Sequence, residues 1–164
     1  MPCYHVANPA ISLGQTKEIE HFKLYLADVG LFTTLLFNST DKTNADIYKK
    51  LLSDKLSLDA GYLYENAVAQ TIASCDRQLY YHAWQKPEST HSFEIDFLLN
   101  AGDKISPVEV KSSSIKRHES LNAFCEKYSS IIGKRYILSS KDIGKDGAIL
   151  LKPMYMARLL IERM

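Results

Sequence analysis

The 164-residue sequence lacks the features that mark a membrane protein or a disulfide-stabilised one. No apolar run approaches the roughly 20 residues that a membrane-spanning helix needs, and the start, Met-Pro-Cys-Tyr-His, does not resemble a signal peptide. The three cysteines, Cys3, Cys75 and Cys125, are widely spaced and include no Cys-x-x-Cys pair, so they do not predict a zinc site. Reduced thiols in a cytoplasm are the simplest interpretation, and we expect a cytoplasmic protein.

An excess of charge of either sign is also absent. The net charge is +1, so the whole chain has no bias towards polyanions. Ten Lys and Arg residues against five Asp and Glu lie between Lys104 and Lys152. This basic half is compatible with nucleic acid, but a solvated surface explains it better.

A phosphate-cradling loop, G-x-x-x-x-G-K-[ST], is missing as well. Gly133-Lys134 has Tyr128 where the first glycine belongs, and Gly144-Lys145 has Ser139 there. We therefore expect no ATP hydrolysis by this chain.

The hydrophobic pattern predicts an α/β fold in which helices flank a mixed central sheet. A content of 46% hydrophobic and 24% charged residues is ordinary for a globular domain. We predict a domain over residues 58–164. Its expected elements are a helix ending near Ala73, strands Leu79–Trp84, Phe93–Leu99 and Ile105–Lys111, a helix Glu119–Ser129, strands Arg135–Leu138 and Ala148–Leu151, and a last helix from Pro153 to about Arg163.

Residues 1–57 are predicted to be an N-terminal extension. Two strands, Tyr4–Val6 and Phe22–Leu26, are expected to pair across a long polar loop, an arrangement that is weakly stable in isolation. A helical segment follows with Leu31, Leu35 and Leu36 on one face, and a short helix is expected at about residues 45–52.

The chemistry centres on the strand that contains Pro107-Val108-Glu109-Val110-Lys111. Glu109 and Lys111 lie two residues apart, so their side chains point the same way at about 7 Å along the strand. Asp96 lies thirteen residues before Glu109, and the turn Asn100-Ala101-Gly102-Asp103 favours a hairpin between them. Pairing about that turn makes Asp96 and Glu109 near cross-strand neighbours.

Two adjacent carboxylates repel each other unless a cation lies between them. Mg²⁺ or Mn²⁺ prefers such oxygen ligands, and Lys111 would stand beside the metal, where it could assist a water or stabilise phosphate charge. Glu65, on the preceding helix, could add a third carboxylate. Glu94 shares a strand face with Asp96 and is a second choice of ligand. The alternative for an isolated Glu-x-Lys is an exposed ion pair.

This order of residues resembles the PD-(D/E)XK nuclease superfamily, whose core is a helix, three antiparallel strands, a second helix and a fourth strand. The resemblance implies that Asp96 and Glu109 bind the metal, that the Val110 carbonyl adds a further oxygen, and that Lys111 is the catalytic lysine. Glu65 corresponds to the helical glutamate of these enzymes. Ile95 stands where the motif has its proline, a change that touches no ligand.

Four strings are more specific: Phe22-Lys23-Leu24-Tyr25-Leu26-Ala27-Asp28-Val29-Gly30-Leu31, Gly61-Tyr62-Leu63-Tyr64-Glu65-Asn66, Glu94-Ile95-Asp96-Phe97 and Val108-Glu109-Val110-Lys111-Ser112. They resemble domain of unknown function 4143, the C-terminal region of many bacterial and archaeal AAA-type ATPases. The resemblance implies a prokaryotic, Mg²⁺- or Mn²⁺-dependent nuclease-like domain acting on nucleic acid, DNA rather than RNA.

In that family an ATPase domain and a winged-helix segment come first. We therefore expect residues 1–26 to correspond to the last hairpin of a winged helix whose ATPase is absent from this chain. The alternative function is a non-catalytic DNA-binding or interaction module of the ATPase.

Overall fold

The computed structural model describes residues 1–37, 61–87, 89–112 and 118–164, except for the side chains of residues 36 and 37. These residues form an α/β structure with four α-helices and two mixed sheets. The predicted α/β class is therefore confirmed. The helix expected at residues 45–52 lies outside the described residues.

The four-stranded sheet contains the first hairpin of the chain. Its strands are β1 (Pro2–Val6), β2 (Lys17–Leu24), β3 (Leu79–Gln85) and β4 (Ser92–Ile95), in the order β2-β1-β3-β4. The predicted N-terminal strand pair forms, and Tyr4 is opposite Phe22. Strand β1 also pairs in parallel with β3. The hairpin is thus part of a sheet that includes later strands, and β2 lies at its edge.

The five-stranded sheet carries the predicted Glu-x-Lys strand. Its strands are β5 (Phe97–Ala101), β6 (Lys104–Lys111), β7 (Arg135–Ser139), β8 (Gly144–Asp146) and β9 (Ile149–Pro153), in the order β5-β6-β7-β9-β8. β6, β7 and β9 are parallel, whereas β5 and β8 are antiparallel to their neighbours.

Helices cover both faces of this second sheet. The described helices are α1 (Val29–Phe37), α2 (Gly61–Ser74), α3 (Glu119–Lys127) and α4 (Ala157–Glu162). Because side chains alternate along a strand, Phe97 faces a cluster with Ile72 of α2 and Ile161 of α4. Leu98 faces the other cluster, with Phe124 of α3. None of the described helices is long and apolar enough to cross a membrane.

The β5–β6 hairpin forms at the predicted turn. Ala101 pairs with Lys104, so Gly102 and Asp103 make a two-residue loop. Gly102 has φ +64°, which suits the first position of a type II′ turn and is unfavourable for residues with a Cβ. Phe97, the first residue of β5, pairs with Val108 at the end of the hairpin far from the turn. The same register, continued by one residue, places Asp96 opposite Glu109.

The prediction of one central sheet is wrong for the described residues, and the cause is a break at Asp96. The predicted strand Phe93–Leu99 divides into β4, which pairs with β3, and β5, which pairs with β6. Asp96 lies between them in a bend. Its side chain accepts a backbone hydrogen bond from β6, and the chain passes from one sheet to the other at this residue.

Three smaller predictions also differ from the structure. The predicted apolar face of α1 is not buried, since Leu31 and Leu35 are exposed. The last helix is shorter than predicted, because Met154–Met156 form a 3₁₀ turn and the α-helix begins at Ala157. Strand β8 was not among the predicted elements. The three cysteines are all free.

Candidate metal centre

Three carboxylates meet where the two sheets adjoin. Glu65 comes from α2, Glu94 from β4, and Asp96 from the bend that follows β4. One carboxylate oxygen of each lies within 4.8 Å of the others, and all three side chains are partly buried. Glu94 and Asp96 are two residues apart, so they reach the same side of the chain. Glu65 lies on α2, which packs against β6.

The side chains of Lys23 and Tyr25 contact this carboxylate group. The Lys23 ammonium lies 3.3 Å from Oε1 of Glu65 and also forms an ion pair with Glu94. The Tyr25 hydroxyl donates a hydrogen bond to the same Glu65 oxygen. Burial acts to lower the pKa of Lys23, but the charges of Glu65 and Glu94 outweigh it and raise the pKa above its ordinary value. Lys23 is therefore cationic at neutral pH and balances part of the negative charge.

Asp96 has the most perturbed carboxyl group of the three. Burial raises its pKa to about 8, and the negative charges of Glu65 and Glu109 act in the same direction. The backbone amide of Val110, which donates to Oδ2 at 2.7 Å, and the Lys23 ammonium oppose this rise. With this pKa the carboxyl group is largely protonated at neutral pH, and a cation beside it would favour its ionised form.

Glu109 and Lys111 form a separate pair on β6. Glu109 is only 2% exposed, and its Oε2 lies 3.2 Å from the Lys111 ammonium without a well-aligned hydrogen bond. Burial raises the pKa of Glu109, while Lys111, His118 and the Leu121 amide act to lower it. The side chain of Lys111 is 30% exposed, so its ammonium is accessible to solvent and to an anion.

The structure brings together some of the predicted site residues. Glu65 and Asp96 share the carboxylate group, and the second-choice ligand Glu94 completes it. Glu109 is not a member of that group, although its charge affects Asp96. Val110 contacts Asp96 through its amide. Glu109 and the Val110 carbonyl as metal ligands, and Lys111 as the catalytic lysine, stay predictions.

Sequence reasoning missed Lys23 and Tyr25 as parts of this site. They lie about 40 residues before Glu65 and reach it only because β1 joins β2 to β3 in one sheet. One signal was present: Lys23 and Tyr25 lie two residues apart in the string from Phe22 to Leu31, so in an extended segment both point to one side.

The donor set fits a hard divalent cation. Mg²⁺ and Mn²⁺ bind carboxylate oxygens in preference to nitrogen or sulfur, and Glu65, Glu94 and Asp96 offer three carboxylates within a small volume. The raised pKa of Asp96 and the poorly partnered Oε2 of Glu109 both indicate a deficit of positive charge at this place. These residues could therefore hold such an ion, with Lys23 supplying one positive charge already.

Comparison with known protein families identifies the central part of the chain. Residues 60–148 match the family model described as domain of unknown function (DUF4143). This range includes all three carboxylates as well as Glu109 and Lys111, and it excludes Lys23 and Tyr25. No curated protein matches the chain.

Proposed function

Because this chain belongs to the DUF4143 family, whose description assigns no activity, we propose from its site that it is a Mg²⁺- or Mn²⁺-dependent nuclease-like domain. The reaction is hydrolysis of phosphodiester bonds in nucleic acid, with DNA as the favoured substrate. The observation that carries the proposal is the group of Glu65, Glu94 and Asp96 beside the Glu109–Lys111 pair.

In this proposal Glu65, Glu94 and Asp96 hold the cation, with Glu109 and the Val110 carbonyl as the further ligands that the superfamily resemblance implies. A bound divalent cation would neutralise phosphate charge and lower the pKa of a bound water. Lys111 presents an ammonium that can contact a phosphate oxygen and stabilise the negative charge that develops there. In the proposed hydrolysis the water would attack phosphorus and lose a proton to solvent, while the bond to the leaving oxygen would break and that oxygen would take up a proton from solvent.

The order of elements supports a restriction-endonuclease-like core. α2, β3, the β4–β5 segment, β6, α3 and β7 follow one another as in the PD-(D/E)XK enzymes. The break at Asp96 distinguishes this chain from a core with one continuous second strand. In keeping with the family resemblance, we propose that the domain works in the cytoplasm with an AAA-type ATPase domain.

The test is a cleavage assay with labelled single-stranded and double-stranded DNA and RNA, with Mn²⁺, Mg²⁺ or a chelator. The wild-type protein is expected to cut DNA only when the divalent cation is present. Asp96→Asn and Lys111→Met are expected to lower the rate by at least about 10²-fold, the usual scale for the loss of one transition-state charge contact. Lys141→Ala is the matched control, because Lys141 is exposed and lies outside the site. Full activity of Asp96→Asn would refute the assignment.

One observation favours a second candidate, a non-catalytic module that binds DNA or an ATPase. Lys23 already forms ion pairs with Glu65 and Glu94, so the protein itself supplies a cation to two of the three proposed ligands. A non-catalytic module would need no metal ion here, because Lys23 already balances part of the negative charge of these carboxylates.

Lys23→Met separates the two candidates. For the metal-dependent enzyme, removal of the competing ammonium should strengthen Mn²⁺ binding, because the cation and Lys23 neutralise the same oxygens. For the scaffold, Lys23→Met should only destabilise the fold, and Mn²⁺ should produce no heat in calorimetry with either protein.

A further inference from the structure

A second group of metal-binding side chains lies on the β1–β2 hairpin and shares no residue with the carboxylate group. One ring nitrogen of His5, one of His21 and a carboxylate oxygen of Glu18 all lie within 4.8 Å of one another. The two nitrogens are 2.7 and 2.9 Å from the same oxygen, Oε2 of Glu18. Residues 5, 18 and 21 have no part in the function proposed above.

An irregularity of the hairpin creates this cluster. Tyr4 pairs with Phe22, but the next residue, His5, pairs with Glu18. Residues 19–21 therefore have no partner on β1, and the strand bulges outward. In a regular strand, residues three apart lie on opposite faces. The bulge returns His21 to the side of Glu18, which is the kind of re-aiming that bulges provide.

The second ring nitrogen of His5, Nε2, makes the kind of hydrogen bond that metal-binding histidines usually make. Nε2 of His5 lies 3.1 Å from the Ala83 carbonyl oxygen, which can only accept a hydrogen bond. Nε2 therefore carries a proton, and in the neutral ring Nδ1 presents a lone pair. Donation of the second N–H to a backbone carbonyl is the common outer-sphere contact of such histidines.

That lone pair faces an anionic oxygen. A nitrogen lone pair and a carboxylate oxygen at 2.7 Å repel each other unless a proton or a metal ion lies between them. Two imidazole nitrogens converging on one carboxylate oxygen form a ligand set for a metal.

We propose that His5, Glu18 and His21 bind a Zn²⁺ ion, with a fourth position open to solvent. Two imidazoles and one carboxylate are an established ligand set for zinc, and a three-ligand set leaves room for a water. The ligands of a tetrahedral zinc site lie roughly 3.3 Å apart, given bonds of about 2.0–2.1 Å. The two present separations of 2.7 and 2.9 Å therefore need to widen by only a few tenths of an ångström.

The exposure of the three residues suits entry of the ion from solvent. The side chain of His5 is 17% exposed, that of Glu18 38% and that of His21 72%. His5 is anchored in the sheet between Glu18 and Tyr81, whereas His21 lies on the surface. The site is thus anchored on one side, and its outer ligand can adjust.

Calorimetric titration of the full chain with Zn²⁺ tests the proposal, with Co²⁺ as a spectroscopic substitute. One Zn²⁺ whose binding depends on His21 is expected, besides any ion bound by the carboxylate group, and Co²⁺ should give the intense visible absorption of a four-coordinate site. His21→Ala should weaken Zn²⁺ binding by more than about tenfold and abolish the cobalt spectrum. Because His21 is exposed, this variant should fold normally, which circular dichroism checks. His91→Ala is the matched control, since His91 is also exposed and lies outside the cluster.

Two further variants separate this site from the carboxylate group. Glu18→Gln should weaken Zn²⁺ binding, because the amide is a poorer ligand than a carboxylate. Asp96→Asn should leave the Zn²⁺ affinity and the cobalt spectrum unchanged. Zinc binding that His21→Ala and Glu18→Gln do not alter, or the absence of any binding at micromolar Zn²⁺, would overturn the proposal whether or not the domain is a nuclease.

Discussion

The backbone amide of Val110 donates a 2.7 Å hydrogen bond to Oδ2 of Asp96. This contact joins β6 to the bend at which the chain leaves one sheet and enters the other. Asp96 therefore has two roles. It satisfies a backbone donor at the end of the β5–β6 pairing, and it contributes to the carboxylate group with Glu65 and Glu94.

The two roles of Asp96 can be separated by substitution. Asp96→Asn keeps an oxygen acceptor for the Val110 amide and removes a carboxyl group whose pKa is raised from 3.8 to about 8 by burial and by like charges. Between these two values the folded chain keeps a proton that the unfolded chain has lost, which costs about 1.4 kcal/mol per pH unit. Without divalent cations, Asp96→Asn should be more stable than the wild type at neutral pH, as measured by urea unfolding.

Asp96→Ala is the contrasting variant. It removes the same carboxyl group but leaves the Val110 amide without its acceptor. It should be less stable than Asp96→Asn by about 1–3 kcal/mol, the usual cost of an unsatisfied buried donor. Equal stability of the two variants would show that the hydrogen bond from Val110 contributes nothing.

The thermal stability of a Lys23 variant should depend on divalent cations more than that of the wild type. Lys23→Met leaves Glu65 and Glu94 without their nearest positive charge, so the melting temperature without divalent cations should fall. Added Mn²⁺ should restore more stability to Lys23→Met than to the wild type, since it takes over the lost neutralisation. Differential scanning fluorimetry with and without Mn²⁺ measures this, and Lys141→Ala serves as the control. A Mn²⁺-induced shift of the same size in both proteins contradicts the account.

The Glu109–Lys111 pair should be strongly coupled. Lys111→Met leaves the Glu109 charge buried with no ammonium beside it, at a cost of ~2 kcal/mol. Glu109→Gln should cost less, because the partly exposed Lys111 remains hydrated. The double variant should be more stable than the sum of the single effects, as a double-mutant cycle by urea unfolding measures. Simple additivity would mean that the two groups do not interact.

Local sequence signals predicted part of this structure well. The α/β class, the order of elements from residue 58 and the hairpin at Gly102 followed from periodicity and turn chemistry. The register of that hairpin was also predicted from the turn, because side-chain pairing across a short loop leaves few alternatives.

What the sequence did not predict depends on contacts between distant segments. Ile95, Asp96 and Phe97 alternate as in one strand, and only the contact with Val110 fixes the break. Lys23 joins the site through the parallel pairing of Cys3 with Leu79, some 76 residues apart. The apolar face expected of α1 is exposed at Leu31 and Leu35, since periodicity reports an amphipathic segment and not what covers it.

His82 predicts the response of the fold to acid. It is buried, its Nδ1 lies 2.6 Å from the Val6 carbonyl oxygen, and burial lowers its pKa from 6.5 to about 4. Between these two values the unfolded chain binds a proton that the folded chain does not. Stability from this residue is therefore complete above about pH 6.5 and falls by up to about 1.4 kcal/mol per pH unit towards pH 4.

Replacement of His82 tests this acid response. His82→Gln should be less stable at pH 7 but should lose less stability between pH 6.5 and 4, as measured by urea unfolding over that range. His91→Ala, at an exposed histidine, should follow the wild-type curve. A wild-type slope in His82→Gln would assign the acid response to another group.

The most direct test of the central claim is calorimetric titration of the apo protein with Mn²⁺, for the wild type, Asp96→Asn and His21→Ala. The account predicts saturable binding to the wild type that is retained by His21→Ala and weakened at least about tenfold by Asp96→Asn. Mn²⁺ binding that Asp96→Asn leaves unchanged, or no binding at millimolar Mn²⁺, would contradict the assignment of a divalent cation to Glu65, Glu94 and Asp96.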